Sequence, residues 1–507
     1  MIAADSKNAN SSSASLAGRM WFFAAVSGLV FTLAISQQSF WIDELYTALA
    51  AQQPTLDAWW RKMLFENGSN LQTPLYMIWI WVCGNIFGTS EVALRAVNLF
   101  WFMPGMLALT WSLARHRSLQ LATFLVAALS PFAWYYLNEA RPYTMQIGLS
   151  LVVFASLFRL ALNQDEPSRE RLWVAGLCGG AWLLSASGML AMLWTGAYLG
   201  AAMLSMTKGR LLKLARSYWP WWLGTGLLLF ALGLFYLWTL SLGARATTAG
   251  ITDAKNFFFI LYELFGFSGL GPGRLSIRTG GLEAFRPWLP GLAIYGGVLL
   301  VVLAAGWRSI AASTSRRTLL CWALAFALVL GFILAVGIEV RFRVLGRHCA
   351  PLWPLVLFVL GSGIAALLKR RDWAGRLVVA AFVGLSLVSC LSLRFSERHA
   401  KDDYRGAAAI GREALARGET VWWNAKKEGA ILYHLTQTGQ PEASSRVVFL
   451  SDPEKGFERD LPKPDLVLTS KVDLFDCNSA LADYLARAGF HPTASLVAFT
   501  AWRAAGK

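Results

Sequence analysis

The chain is 507 residues long, 56% hydrophobic and only 15% charged, with 24 tryptophans. Soluble globular chains are roughly 45–50% apolar and about a quarter charged, so this composition excludes an ordinary soluble domain and points to an integral membrane protein. The net charge of +16 is no nucleic-acid footprint: 16 bases face 15 acids from Arg394 onward, while the first 393 residues hold 30 bases against 15 acids, clustered in short loops as positive-inside topology requires.

Residues 1–18 are polar and rich in Ser, Asn and Ala, the composition of a disordered cytoplasmic tail. Met20–Ser36 is the first span, an uncleaved anchor because no small-residue cleavage site follows it. Ten further spans are predicted at 92–114, 118–137, 142–162, 172–187, 188–206, 217–240, 288–306, 318–338, 350–368 and 376–393. The basic loops Arg115-His116-Arg117, 208–216, 308–317 and 369–376 belong on the cytoplasmic side, which turns 37–71, 138–141, 241–287, 339–349 and everything after 393 outward. Residues 72–87 are short and rich in Trp and Tyr; a crossing there would reverse the Arg-His-Arg loop, so they read as a helix lying in the outer interface. The expected fold is thus an α-helical polytopic membrane protein of about eleven transmembrane helices, the transmembrane domain occupying 19–393.

Residues 394–507 differ in kind. Helical patterns at Tyr404–Arg417 and Ser479–Gly489 alternate with apolar runs at Thr420–Trp423, Arg446–Leu450, Asp465–Thr469 and Leu496–Trp502. That rhythm predicts a small exoplasmic (periplasmic) α/β domain with a mostly parallel sheet and no Gly-rich phosphate loop. The six cysteines lack metal-ligand spacing and read as small apolar fillers, although Cys349 and Cys477 would both face outward, where one disulfide stays open.

Charged groups in a bilayer enzyme belong at the water-facing ends of helices, and five polar groups fall on the predicted outer side. In Trp41-Ile42-Asp43-Glu44-Leu45-Tyr46, a carboxylate would serve as general base, or Asp43 would cap a short helix. Asn70-Leu71-Gln72-Thr73-Pro74-Leu75-Tyr76 would join the substrate region, or Pro74 simply opens a helix. In Asn138-Glu139-Ala140-Arg141-Pro142-Tyr143, Arg141 would bind a phosphate through its guanidinium, or pair with Glu139 to close a hairpin. Arg341, Arg343, Arg347 and His348 form an excess of bases on the outer side, suited to an anionic lipid headgroup or to interfacial snorkelling. The loop 241–287 carries Arg245, Glu263 and Arg274, an amphipathic stretch from Phe257 to Phe267 and a hinge-like Gly269–Gly273; it is a lid or a connector.

Taken in order, these motifs resemble the GT-C superfamily, closest to the bacterial branch of protein mannosyltransferase-like enzymes and lipid A aminoarabinose transferases. Asp43-Glu44 matches the carboxylate motif of the first outer loop, and Thr73-Pro74-Leu75-Tyr76 a Pro-Pro-Leu-Tyr element. Phe87-Gly88-Thr89-Ser90-Glu91-Val92-Ala93-Leu94-Arg95, Glu139-Ala140-Arg141-Pro142-Tyr143 and Gly346-Arg347-His348 follow, and Asp402-Asp403-Tyr404-Arg405 resembles the usual opening of a C-terminal domain. The resemblance implies an inverting glycosyltransferase that uses a polyprenyl-phosphate sugar, with membrane lipids around it and a lipid, glycan or protein as acceptor, and with neither nucleotide nor nucleic acid. It implies Asp43 as base and Glu44 as its helper toward the acceptor or a cation. Arg141, Arg347, His348, Arg343 and Tyr143 would hold the donor phosphate, and Gln72, Tyr76, Arg95, Glu139 and Arg245 would line the acceptor region. Gln72 and Ser185-Ala186-Ser187-Gly188-Met189 stand where the family often carries His, which disfavours Zn²⁺ and leaves a loosely held Mg²⁺ or Mn²⁺ on Asp43 and Glu44. A transporter or flippase is the competing class, but it would carry repeats and mid-span charges that this chain lacks. An O-antigen polymerase or ligase is the other alternative.

Overall fold

A run of apolar residues in a bilayer must satisfy its own backbone polar groups, and helices do so. A computed structural model describes residues 13–65, 69–162, 165–242, 252–436 and 445–504. The helices are α1 (Ser13–Ala34), α2 (Ile42–Ala51), α3 (Leu56–Phe65), α4 (Pro74–Phe87), α5 (Glu91–Ala96), α6 (Leu99–Ser112), α7 (Arg117–Ala128), α8 (Pro131–Leu137) and α9 (Tyr143–Leu162). They continue with α10 (Pro167–Ala186), α11 (Met189–Ser205), α12 (Lys208–Ser217), α13 (Trp219–Ser241), α14 (Ala254–Leu264) and α15 (Arg274–Gly280). The bundle ends with α16 (Leu289–Ser313), α17 (Arg316–Glu339), α18 (Trp353–Arg370) and α19 (Trp373–Phe395).

Every predicted span coincides with helix. Among the described residues eight helical stretches are long and apolar enough to cross a membrane, and α7 with α8 make a ninth if their 50° bend is one broken span. Pro131 causes that bend. Ser130 restarts the helix, its Oγ accepting the Ala133 N–H at 3.4 Å, with proline in the first turn where its missing N–H costs nothing. The other two predicted spans, α10 and α11, fall short on their own: α10 opens with Arg169, Glu170 and Arg171, and α11 has only 17 residues.

Small residues let helix backbones touch. A Cβ on Gly105 would sit 2.3 Å from the Gly148 carbonyl oxygen, so α6 and α9 cross in direct contact. Gly306 and Gly363 do the same for α16 and α18, each facing a carbonyl at 2.1 Å.

Beyond α19 lie α20 (Tyr404–Ala416), β1 (Val421–Asn424), α21 (Lys427–Leu432), β2 (Val447–Phe449), β3 (Leu466–Ser470), α22 (Val472–Phe475), α23 (Ala480–Arg487), β4 (Phe490–Leu496) and β5 (Phe499–Ala504). The sheet order is β2-β1-β3-β5-β4. The strand β1 pairs in parallel with β2 and β3, in register Val421↔Val447 and Val421↔Leu466. The other two pairings are antiparallel, Leu466↔Arg503 and Leu496↔Phe499. The expected mostly parallel sheet is therefore mixed. The unforeseen β4 is largely exposed and broken by a register shift at Pro492, so it carries no apolar run. All six cysteines are free; Cys349 is buried and Cys477 exposed, so the disulfide left open does not form.

Candidate functional site

The first turn of α2 presents two carboxylates to opposite surroundings. Glu44 is fully buried. Arg95 grips it with two bonds, Nε to Oε1 at 2.9 Å and Nη2 to Oε2 at 2.8 Å. The Ala140 N–H donates to Oε1 at 2.7 Å and Lys401 Nζ to Oε2 at 2.9 Å. Burial alone would raise the Glu44 carboxyl, but Lys401 and Arg95 outweigh it and hold it down at about 2. Arg95, also fully buried, donates further to the carbonyls of Ser36, Gln38 and Ser39 at 2.9, 2.7 and 3.2 Å. Glu44, expected at the acceptor or a cation, and Arg95, expected in the acceptor region, are both buried here and bonded to each other.

Asp43 keeps part of its side chain open. Its Oδ2 accepts from Arg347 Nη1 at 2.7 Å, and Arg141 Nη1 donates to the Asp43 carbonyl and to Thr47 Oγ1, both at 3.2 Å. Burial pushes the Asp43 carboxyl up, but the guanidinium groups of Arg347 and Arg141 overcome it and leave it below its ordinary value. The Arg347 guanidinium lies 5.7 Å from the centre of the Tyr143 ring. Gly346 must be glycine here: its N–H donates to Glu263 Oε2 at 2.8 Å, and a Cβ would stand 2.4 Å from that oxygen. Most telling are the buried Nε–H groups of Arg141 and Arg347, neither of which has a hydrogen-bond partner among the described residues. Buried donors are seldom left unfilled, and two of them beside one carboxylate suit an incoming anion.

Glu139 is fully buried, with no well-formed hydrogen bond to either oxygen among the described residues and Arg274 Nη1 3.7 Å away. Burial raises its carboxyl above the ordinary value, and the Arg274 and Lys401 charges do not fully offset that. Arg274 also meets Glu263 at 2.8 Å and stacks over Tyr135 and Trp41 at 4.2 and 5.7 Å. Gly269 and Gly273 do not act as hinges: each is wedged against a carbonyl, of Ser389 and Arg398.

The remaining expected residues scatter. His348 Nδ1 accepts the Leu345 N–H at 2.9 Å and its ring packs on Phe342, so that nitrogen caps a turn and cannot serve a phosphate. Arg343 is exposed, and no bond joins it to Arg347 or Asp43. Tyr76 is fully buried with its hydroxyl unpartnered, and Gln72 is half-buried just before α4. Arg245 lies outside the described residues. Sequence reasoning missed Lys401, 357 positions from Glu44, whose sole signal was its place directly before Asp402-Asp403. Of the two carboxylates on which Mg²⁺ or Mn²⁺ is expected, Glu44 accepts from Arg95, Lys401 and a backbone amide, and Asp43 lies beside Arg347 and Arg141; among the described residues no three His, Cys, Asp or Glu gather.

No family model matches the chain, and no curated protein matches it. Solved structures do. Apo ArnT from Cupriavidus metallidurans is 13% identical, over 96% of this chain and 98% of that one, with a TM-score of 0.54. The same protein bound to undecaprenyl phosphate gives 14%, 96%, 98% and 0.49. The arabinofuranosyltransferase AftD from Mycobacteria gives 14% over 97% of this chain and 40% of that one, with a TM-score of 0.42. At such identity the likeness to apo ArnT speaks to the fold alone: the helical bundle with its terminal sheet is shared with that structure.

Proposed function

We propose that the chain is an inverting glycosyltransferase that moves a sugar from a polyprenyl-phosphate donor to a hydroxyl of a lipid, glycan or protein at the exoplasmic membrane face. The observation that carries this reading is Asp43 set between two half-buried arginines whose buried Nε–H groups have no hydrogen-bond partner among the described residues. The shared fold and the ordered motifs support it.

In this reading the donor's phosphate enters between Arg141 and Arg347. Arg347 cannot serve the Asp43 carboxylate and a phosphate equally, so it shifts toward the phosphate. Asp43, held low while paired, regains proton affinity as that guanidinium leaves. The acceptor oxygen then attacks the anomeric carbon from the face opposite the phosphate and Asp43 takes its proton. The bond from carbon to phosphate oxygen breaks with inversion. Polyprenyl phosphate departs with its added negative charge stabilised by the two arginines, the term that is usually largest in such sites.

The test uses lipid-linked sugars, radiolabelled in the sugar, extracted from membranes of the source organism. Wild type releases free polyprenyl phosphate from them. Asp43→Asn lowers the rate by about 100-fold or more, the usual worth of a general base, while still folding. A wild-type rate in Asp43→Asn contradicts the assignment.

A further inference from the structure

Lys401 sits in the short connector between the last membrane helix and the α/β domain, far in sequence from every motif, yet its side chain is only 9% exposed. Its ammonium makes two bonds. One goes to Glu44 Oε2, next in chain to Asp43; the other goes to the carbonyl of Asn138, three residues before Arg141. Glu44 Oε1 receives the Ala140 N–H of the same hairpin. Lysine and glutamate together therefore cross-link the helix that carries the base to the hairpin that carries a phosphate-binding arginine.

The α/β domain holds the connector and the first loop in place from several directions. Lys471 at the end of β3 pairs with Asp402 at 2.5 Å. Tyr433 accepts the Phe40 N–H at 2.8 Å and donates to Glu91 at 2.9 Å. Arg405 donates through Nη2 to the Gln37 carbonyl at 2.9 Å and through its backbone N–H to Ser39 Oγ at 3.1 Å. The strand end thus holds the connector, while the α21 region and α20 grip residues 37–40 of the first loop.

We infer that Lys401 is a positioning residue for the transfer reaction: it sets the spacing between Asp43 and Arg141, and through it the docked α/β domain holds the catalytic loop in its working geometry. This rests on the reading of Asp43 as base. Lys401 touches neither donor nor acceptor. Arg95 keeps Glu44 paired when the lysine is gone, so the fold survives its removal while the cross-link to Asn138 does not.

The experiment compares wild type, Lys401→Met and Lys401→Arg in the release assay, with melting temperature and polyprenyl phosphate affinity measured on the same samples. A misplacement of about 1 Å is worth on the order of 100-fold in rate. Lys401→Met is expected to lower the saturated rate by about that factor, leave polyprenyl phosphate affinity within about threefold, and melt as a folded protein. Lys401→Arg, which keeps charge and donors, recovers most of the rate. Two results overturn the inference: Lys401→Met turning over within twofold of wild type, or both variants losing rate only in proportion to lost folded protein. Should Lys401→Met not fold, recovery or loss of rate in folded Lys401→Arg decides. A wild type that consumes none of the lipid-linked sugars sinks the functional reading itself and this inference with it.

Discussion

Adjacent carboxylates on a helix point about 100° apart, so Asp43 and Glu44 can belong to different environments although they share a motif. Glu44 lies in a cage of Arg95, Lys401 and a backbone amide; Asp43 meets Arg347 and open space. Removing one partner of a buried pair costs about 3–5 kcal/mol, so Glu44→Ala should lower unfolding stability by that order, read as a large drop in melting temperature in detergent. The sign of its pH dependence follows from the depressed carboxyl. Its stabilisation is complete above the ordinary value of 4.5 and is lost as pH falls toward about 2. The melting temperature of wild type should fall across that window, and the fall should be shallower in Glu44→Gln. A steeper fall in the variant would mean that Glu44 is not the group that titrates. At this scale the sequence was informative where chemistry repeats a motif: Asp43, Arg141 and Arg347 are brought together. It was silent on which of two neighbouring acids is buried, because that depends on Arg95 and Lys401 arriving from distant segments.

Helices were the most legible level, since a long apolar run in a bilayer has few other choices. What the pattern could not show is where they touch. The α6–α9 crossing depends on Gly105 and Gly148 meeting backbone to backbone, and hydropathy does not set these two apart from the other glycines of the spans. Gly148→Val should force those helices apart, since even its Cβ would stand 2.2 Å from the Trp101 carbonyl oxygen. A cost of about 1–3 kcal/mol is expected from overpacking, read by thermal unfolding. Gly196→Ala in α11, with nothing within 4 Å of its added methyl, is the matched control and should be neutral or slightly stabilising. Equal losses in the two variants would show that close approach is not what Gly148 provides. The same blindness explains Gly269 and Gly273, which look like a hinge in sequence and are packing contacts in space.

At the scale of the whole molecule, the bundle and the sheet domain meet over the loop that carries Asp43, and the cluster of charge lies at that junction. The alternation of helices and apolar runs announced the domain, yet nothing in it announced that Lys401 and Tyr433 would reach the first loop. Such pairings span several hundred residues and exist only once the chain is folded. The two unfilled arginine donors beside Asp43 are the feature on which the functional reading stands. A structure determined with polyprenyl phosphate added tests it. The phosphate should lie between Arg141 and Arg347, bonded to both, with the 2.7 Å contact between Arg347 and Asp43 opened. A headgroup bound elsewhere while Arg347 stays on Asp43 would contradict the assignment of this site to the donor.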